Sequence, residues 1–399
     1  MADGSTSPKT GGPDHFELVE MAKGLTETVR SRAADAEKNR RLHRETHEAL
    51  LDGGFYKVQM PARYGGLEMS HRTMLDCAVE IGRGCGSSAW IFSNIAAQNG
   101  IVSMASRRAQ DDVWADNDNA CMASSFPAKG GKVVRVEGGI VANGVWSFAS
   151  GVDWADWNNM QVFVPRDGGG VAHHMALVPK SDYRVIDDWN SPGLVATGSR
   201  SIELDNVFIP EHRMLNTAEA RKGGTIEASE NFGPIFRMPP MCGANKIFSG
   251  PVIGMAHGAL DAIERDLSAR NNVAGIPMAT LTTAQMRVAE AGALIEAAWA
   301  LMQRDCDVAL EIGKIGRLTT VEDRAFWRRN NAYAGVMCVK AVDILHPLIG
   351  ARGLKPDSDF MRAYRDIHAA TMQINMAWDR HAISAAEIQL GLTPSDPRA

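Results

Sequence analysis

Aromatic rings and hydroxyl groups are concentrated in one short stretch, residues 145–157, which holds three tryptophans, one phenylalanine and two serines. Rings of this kind can wall in a flat apolar ligand, and the hydroxyls of Ser147 and Ser150 can exchange hydrogen bonds with it. Gly151 follows at once and lets the backbone approach a bound molecule closely. The stretch predicts a binding site for a flat molecule, although a hairpin that only fills a core could have the same composition.

No familiar phosphate, metal or nucleophile motif accompanies this stretch. The chain lacks GxxxxGK[ST], a strand-linked GxGxxG, HExxH and GxSxG. His43 and His47 stand one helical turn apart, as zinc ligands can, but they lie in a charged run without a third ligand, so we expect a solvated helix face. His173 and His174 are neighbours in a predicted strand and point to opposite faces, which rules out a shared ligand role. The sequence therefore predicts no metal site.

The composition is typical of a large soluble protein. The chain has 399 residues and a formal net charge of −5, which gives no electrostatic case for binding nucleic acid or an anionic membrane. We see no apolar run long enough to span a bilayer, and the polar N-terminus lacks the apolar core of a signal peptide. The cysteines form no CxxC pair, so we expect reduced, mostly buried thiols in a cytoplasmic protein. They are Cys77, Cys85, Cys121, Cys242, Cys306 and Cys338.

The hydrophobic periodicity divides the chain into three domains that follow a disordered tail at residues 1–14. Residues 15–117 have the pattern of helices, residues 118–225 that of a small antiparallel barrel or sandwich, and residues 226–399 that of a helical bundle. The predicted fold class is therefore α+β and mostly helical, with a four-helix bundle at the C-terminus. The residual apolar faces of the long helices suggest pairing with further subunits.

Individual elements follow from the same patterns. In the first domain, residues 33–51 continue the opening helix as a charged amphipathic helix. Glu137, Gly138 and Gly139 form a turn signal between two alternating runs, so a hairpin delivers residues 146–150 to one end of the sheet. The predicted strands are 132–136, 140–148, 160–165, 172–179, 183–187 and 200–207. Further helices are predicted near 72–84, 87–104, 288–309 (an apolar stripe), 321–345 and 361–390.

Several segments resemble the acyl-CoA dehydrogenase fold, and the resemblance covers the chain from about residue 15 to its end. The segments are Met60-Pro61 with Tyr64-Gly65-Gly66, residues 121–126 (CMASSF), residues 198–204 (GSRSIEL) with 207–210 (VFIP), and the turn at 350–353. Within that fold, three more segments are similar to the flavin-dependent monooxygenase branch, the oxygenase components of two-component systems. These are residues 87–90 (SSAW), 146–151 (WSFASG) and 364–370 (YRDIHAA).

The resemblance implies oxygen chemistry on a reduced flavin. A dehydrogenase of the fold needs a carboxylate base before its last helix, and residues 369–376 contain no acid. Without a nicotinamide fingerprint, the chain would take FMNH₂ or FADH₂ from a separate reductase, and O₂ would form a C4a-hydroperoxide that the protein keeps dry. The alternatives are an acyl-CoA dehydrogenase-type FAD dehydrogenase, an N- or S-oxygenase of the same fold, and a non-catalytic member that uses its bundle for assembly.

The family pattern also implies which residues hold the flavin. Ser150 corresponds to the position nearest the reactive edge of the ring and is expected to act in catalysis. The ring would meet Ser124, Ser125, Trp146, Phe148 and Ser150. Its phosphate would meet Arg270, Gly350, Arg352 and Gly353, of the same or of a neighbouring subunit, because guanidinium groups and exposed amides suit a phosphate. A surface ion pair is the alternative for Arg270.

The same resemblance implies a substrate pocket formed by Trp90, Gln98, Trp154 and Gln373. Phenol-hydroxylating relatives have histidines at the positions of Gln98 and Gln373, and an amide cannot take a phenolic proton near neutral pH. This favours an indole-like or other heteroaromatic substrate over a simple phenol. His368 is the remaining titratable candidate in that helix, and an interhelical hydrogen bond is its alternative role. The assembly implied is a homotetramer, a dimer of dimers.

Overall fold

The computed structural model describes residues 12–127, 131–166, 168–238, 240–355 and 357–396. Most of the predicted N-terminal tail and the side chain of Cys242 lie outside the described part. Helices occupy the two ends of the chain and strands the middle. The helices are α1 His15–Lys38, α2 Arg44–Asp52, α3 His71–Gly84, α4 Gly86–Val102, α5 Arg107–Trp114, α6 Thr217–Ala220, α7 Pro240–Ala269, α8 Thr282–Ile315, α9 Val321–Ile349, α10 Asp359–Ala370 and α11 Trp378–Gln389. The strands are β1 Met122–Pro127, β2 Lys132–Val136, β3 Gly139–Ala149, β4 Trp157–Pro165, β5 Val171–Pro179, β6 Arg184–Ile186, β7 Arg200–Pro210 and β8 Met214–Asn216.

The first helix is well capped at its N-terminus and ends earlier than the sequence predicts. Asp14 and Glu17 form a reciprocal capping box at the start of α1. The helix ends at Lys38, and Arg40 adopts a left-handed conformation with φ of 51°. A residue in that conformation cannot continue a right-handed helix. The predicted helix over residues 33–51 is therefore wrong, because it is two helices, α1 and α2.

The strands form one sheet in the order β6-β7-β3-β1-β4-β5-β8, with β2 paired to β3. The predicted strands coincide with β2 to β7, whereas β1 and β8 were not predicted as strands. The expectation of a purely antiparallel sheet is wrong, because β1 and β4 run parallel at its centre. That pairing arises because the β3 hairpin and its following turn separate β1 from β4 along the chain. The apolar side chains inside this layer form their own core cluster.

The C-terminal bundle contains the regular apolar face that the sequence indicates. Ala291, Ile295, Ala298, Met302 and Cys306 are all fully buried along α8. The predicted single helix over residues 361–390 is wrong, because α10 ends at Ala370 and α11 begins at Trp378. Between them the side-chain oxygen of Gln373 accepts a hydrogen bond from the backbone of Asn375 and caps a short 3₁₀ turn. The bundle core is continuous with that of α1 to α4, so the helical regions position one another.

One helical stretch does meet the length and composition criteria of a membrane span. Within the described residues this is Val321–Leu354, and half of its most apolar window is buried inside the fold. The expectation that no stretch is long enough is therefore wrong by this criterion. Because α9 packs against α7, α8 and α11, its apolar character has a sufficient cause in the bundle core.

Candidate active site

The sheet opens between β1 and β3 where the sequence places its site residues. The two strands pair only at Phe126–Ser147 and Pro127–Trp146. Beyond that point β3 bulges, since its register against β7 shifts and Phe148 takes a left-handed φ of 63°. Ser124 continues to pair with β4 on the other side. In a parallel pair, alternate residues direct their backbone groups away from the partner strand, so β1 keeps an open edge of N–H and C=O groups here.

A chain of hydroxyl groups runs away from this opening. The Trp90 indole N–H donates to Ser150 Oγ at 3.3 Å, and Ser150 Oγ lies 2.7 Å from Ser199 Oγ. Ser199 Oγ lies 2.7 Å from Thr197 Oγ1, which donates to the carbonyl of Leu194 at 2.7 Å. Each hydroxyl has one proton. Because the Thr197 proton is committed to a carbonyl, Ser199 must donate to Thr197 and Ser150 to Ser199. Ser150 therefore offers only acceptor capacity to a ligand.

A second cluster, made of four polar side chains, joins α4 to the sheet. Ser124 Oγ donates to Asn94 Oδ1 at 3.3 Å, and the Asn159 amide donates to Gln98 Oε1 at 2.9 Å. All four side chains are nearly or fully buried. Buried polar groups that satisfy one another hold a single geometry. The side-chain oxygen of Gln98 therefore already accepts a hydrogen bond. Its amide N–H groups can donate to a bound molecule.

Two of the residues expected at the flavin ring have buried side chains. Trp146 is 1% exposed, belongs to the β-domain core, and donates its indole N–H to the Gln161 carbonyl at 2.8 Å. Alternation along β3 directs the ring of Trp146 into the sheet core, and its expected contact with the flavin stays a prediction. The Ser125 hydroxyl is fully buried and donates to Asn158, which leaves only backbone groups of Ser125 for a ligand. Phe148, by contrast, is 60% exposed.

Trp154 is packed against the imidazole of His47, which the sequence analysis placed on a solvated helix face. Its indole stacks on His47 with ring centroids 4.5 Å apart, and His47 Nδ1 lies 3.1 Å from the Tyr56 hydroxyl. The expectation that His47 lies on a solvated helix face is wrong, since its side chain is buried. Burial lowers the pKa of His47 to about 4, against a smaller opposing effect of Asp156. His47 is therefore neutral at neutral pH.

We predict that the protein loses stability in acid and that the His47→Gln variant loses less than wild type. Burial lowers the pKa values of His47, His173 and His257 to about 4, whereas unfolded imidazoles titrate near 6.5. Between these pH values the imidazoles bind protons in the unfolded chain but not in the folded chain. The free energy of unfolding therefore falls as pH drops from about 6.5 to about 4. Each imidazole contributes a slope of at most about 1.4 kcal/mol per pH unit. Urea unfolding of wild type and His47→Gln at pH 7, 6, 5 and 4.5 measures how the free energy of unfolding depends on pH. An identical dependence in the two proteins would contradict the lowered pKa of His47.

The structure does not bring His368 and Gln373 to the hydroxyl chain. His368 Nε2 lies 3.2 Å from an Asp343 carboxylate oxygen on α9, which is the interhelical contact considered as its alternative role. Gln373 is the cap of the turn after α10. Among the described residues, no hydrogen bond connects either side chain to Trp90, Ser150 or Ser124. His368 thus joins α10 to α9, and Gln373 caps the turn that leads from α10 to α11.

The expected phosphate residues do lie together, at one end of the bundle. Arg270 donates to the carbonyl of Leu348 at 2.6 Å and pairs with Asp266. Arg352 Nη1 lies 3.4 Å from the same Asp266 carboxylate, and its side chain is 62% exposed. Gly350 begins the adjoining turn with a left-handed φ of 58°. One carboxylate thus faces two guanidinium groups, which leaves net positive charge at the turn.

Several members of the site are missing from the sequence interpretation. These are Asn94, Asn159, Thr197, Ser199 and, through Leu194, Asp366. Ser199 lies inside the segment 198–204 that carries the resemblance, so it had a signal. Asp366 lies inside the segment 364–370, which carries the resemblance too. Asn94, Asn159 and Thr197 had no signal, because single hydroxyl and amide side chains carry no periodicity.

The described part of the chain contains neither a cluster of metal ligands nor a reactive thiol. No group of three or more His, Cys, Asp or Glu side chains there could hold a metal ion. The five described cysteines are buried, and none of them is in a disulfide. Burial raises the pKa of Cys121 to about 12, so its thiol stays protonated and unreactive at neutral pH.

Comparison with known proteins agrees with this geometry. Family models for the N-terminal and C-terminal domains of acyl-CoA dehydrogenase match residues 12–114 and 246–378. The chain is 30% identical to the oxygenase component of an FADH₂-dependent resorcinol hydroxylase from Rhizobium sp. (strain MTP-10005), over 95% of each chain. It is 30% identical to the oxygenase subunit HsaA of a flavin-dependent monooxygenase from Mycobacterium tuberculosis, over 96% of this chain and 98% of that one.

A solved structure extends the agreement to the whole fold. The crystal structure of 3-HSA hydroxylase from Rhodococcus sp. RHA1 superimposes with a TM-score of 0.91 at 29% identity, covering 97% of this chain and 100% of that chain. These findings confirm the resemblance, the fold class and the use of reduced flavin inferred from the sequence. The chain belongs to the acyl-CoA dehydrogenase-fold family of flavin-dependent monooxygenases, as an oxygenase component.

Proposed function

We propose that this enzyme oxygenates a small aromatic or heteroaromatic molecule, with reduced flavin supplied by a separate reductase, and that the site is built around Ser150. The observation that carries the proposal is the acceptor-only hydroxyl of Ser150, which directly follows β3 at the end where β3 no longer pairs with β1. Reduced flavin, when bound, supplies the two electrons that activate O₂. The residues of the protein orient the flavin ring, exclude water and hold the substrate.

The donor and acceptor groups suit a reduced isoalloxazine ring. Such a ring has an N–H at its reactive edge, which requires an acceptor, and Ser150 offers only an acceptor. Its other edge alternates carbonyl and N–H groups, which match the backbone groups left open along β1 near Ser124 and Ser125. Phe148, exposed at the bulge, would cover a face of the ring.

The phosphate of the flavin would lie at Arg270, Arg352 and the Gly350–Leu354 turn. Support comes from the excess of two guanidinium groups over the single Asp266 carboxylate. The turn, with its left-handed Gly350, adds backbone amides to those charges. We assign this site to the flavin of a neighbouring subunit in a homotetramer, a dimer of dimers in the cytoplasm.

An apolar groove on the bundle supports assembly of that kind. It is open, encloses about 640 Å³, and is lined in part by Val336, Val339 and Trp378. Tyr333 and Ile383 are further exposed apolar side chains on the same helices. Exposed apolar surface of this kind marks an interaction site more often than free surface.

For the substrate we propose an indole-like heteroaromatic molecule in preference to a simple phenol. The pocket would contain Trp90, Trp154 and Gln98, whose amide can donate a hydrogen bond but cannot remove a proton. A substrate whose ring is already electron-rich needs no base, and stacking on indoles favours a flat bicyclic ring. A phenol would need a base, for which the neutral His47 behind Trp154 is the available imidazole.

The test is a coupled assay with an independent flavin reductase, NADH, catalase and either FMN or FAD. Indoles, phenols, amines and thioethers are offered as a panel, and products are analysed by mass spectrometry after reaction under ¹⁸O₂. We expect one ¹⁸O atom in the product of a bicyclic aromatic substrate. Oxidation of acyl-CoA thioesters by tightly bound FAD, without ¹⁸O incorporation, would instead establish the dehydrogenase alternative.

The phosphate site gives a prediction with an internal control. Arg352→Ala should weaken binding of reduced FMN or FAD about tenfold, because one charge-assisted contact is lost. Binding of riboflavin, which has no phosphate, should change less than twofold. Anaerobic titrations followed by fluorescence measure both ligands, at two salt concentrations. Equal losses for riboflavin and FMN would move Arg352 out of the phosphate site. The exposed Arg352 is preferred over Arg270 because it makes no contact with the Leu348 carbonyl that Arg270 holds.

A further inference from the structure

A buried carboxylate on α10 is connected to the far end of the hydroxyl chain. Asp366 is 2% exposed, and its Oδ1 accepts the backbone N–H of Leu194 at 2.6 Å. The carbonyl of the same Leu194 receives the proton of Thr197. The two polar groups of one residue thus connect Asp366 to the chain that ends at Ser150.

Leu194 is held in a conformation that it would not adopt by itself. Its φ of 52° lies in the left-handed region, which is unfavourable for a leucine. The preceding Gly193 packs directly on α10, where an added Cβ would lie 2.3 Å from the carbonyl oxygen of Arg365. Close packing therefore fixes the position of the loop, and the Asp366 hydrogen bond fixes the direction in which the Leu194 peptide groups point.

We propose that Asp366 is a positioning residue for Ser150: by holding Leu194 it fixes the carbonyl that ends the hydroxyl chain, and so keeps the Ser150 proton directed away from the flavin. The inference rests on the proposed function, because it concerns the same site. Without a fixed acceptor at Leu194, the three hydroxyls can reverse their donor directions. Ser150 would then present a proton, instead of a lone pair, to the N–H of a reduced flavin.

The charges around Asp366 indicate a pH-dependent consequence. Burial raises the pKa of Asp366 to about 7, although the Leu194 N–H and nearby guanidinium groups oppose the shift. Those guanidinium groups, Arg362 and Arg365, are themselves paired with Glu37. Besides Arg362, the titratable groups that line the small cavity beside Asp366 are Arg30, Arg83, Cys85 and Asp359. Protonation of Asp366 weakens its acceptor and loosens the Leu194 loop as pH falls through about 7.

Two variants and one control test the inference. Asp366→Ala removes the acceptor, whereas Asp366→Asn keeps an acceptor oxygen of similar size without a titrating proton. Asp359→Ala is the matched control, because it removes a carboxylate of the same helix that pairs with Arg362 and Arg265. Hydrogen–deuterium exchange of the peptide that contains Leu194 reports the hydrogen bond in the absence of flavin. The coupled assay, run without catalase, then reports product and H₂O₂ per reduced flavin from pH 6 to 8.5.

For Asp366→Ala we expect at least tenfold faster exchange at Leu194 and a severalfold rise in the ratio of H₂O₂ to product. Asp366→Asn should keep most of the exchange protection and remove the change in that ratio near pH 7 that wild type shows. Asp359→Ala should match wild type. If Asp366→Ala does not fold, the loss of the pH effect in Asp366→Asn decides the question.

Unchanged exchange at Leu194 in Asp366→Ala would overturn the inference, and so would wild-type coupling at every pH in both Asp366 variants. Failure of the proposed function is distinguishable, because wild type itself would then form no ¹⁸O-labelled product. In that event the exchange experiment still decides whether Asp366 holds Leu194.

Discussion

Ser150→Ala should lower the yield of oxygenated product per reduced flavin by on the order of tenfold or more, with reducing equivalents released as H₂O₂ instead. Ser150 is the one hydroxyl of the Trp90–Ser150–Ser199–Thr197 chain that also lies at the opening between β1 and β3. Its removal takes away the acceptor proposed for the reactive N–H of the flavin. It also leaves the buried Trp90 indole N–H without its acceptor, at about 1–3 kcal/mol, and takes from Ser199 the hydroxyl that donates to it, while Ser199 keeps its contact with Thr197.

Ser147→Ala is the matched control for this prediction. Ser147 lies three residues earlier, on β3, and its hydroxyl lies 3.0 Å from the Ser201 hydroxyl, which does not belong to the chain of hydroxyl groups that includes Ser150. We expect Ser147→Ala to keep more than half of the wild-type coupling. The measurement combines product analysis with stopped-flow oxidation of anaerobically reduced flavin. Equal product yield and equal oxidation rate in Ser150→Ala and wild type would remove Ser150 from the site.

Gly254→Ala should destabilise the protein by about 3 kcal/mol or more, a large effect for a single methyl group. A Cβ at Gly254 would lie 2.4 Å from the carbonyl oxygen of Val79 and 2.8 Å from Cα of Gly82. The two glycines allow α3 and α7 to cross with their backbones in contact. The crossing also positions the site, because Phe248 on α7 packs against Trp90 with ring centroids 5.3 Å apart.

Gly24→Ala provides the opposite expectation within the same protein. Gly24 lies inside α1, is exposed, and an added Cβ would meet no atom within 4 Å. Alanine is the better helix former, so we expect a gain of about 0.5–1 kcal/mol. Urea denaturation of both variants decides the comparison. A Gly254→Ala protein as stable as wild type would mean that α3 and α7 can separate without cost.

The sequence by itself determined the features that depend on periodicity and local chemistry. The α8 stripe from Ala291 to Cys306 repeats at helical spacing, and its burial follows because the helix has one apolar face. The alternating runs predicted strands β2 to β7. The Gly138–Gly139 turn predicted the hairpin of β2 and β3. Short segments such as 146–151 and 198–204 were enough to indicate the family, since they bring unusual residue types together in a fixed order.

Only the tertiary structure decided which of the site side chains face the opening. Trp146 and Phe148 are two residues apart and would share a face of a regular strand, but the bulge at Phe148 separates them, so one fills the core and the other is exposed. His47 is buried because Trp154, over a hundred residues later, covers it. Ser150 meets Ser199, and Asp366 meets Leu194, across 49 and 172 residues. Contacts at such separations depend on how whole elements pack, and a single sequence contains no local pattern that records them.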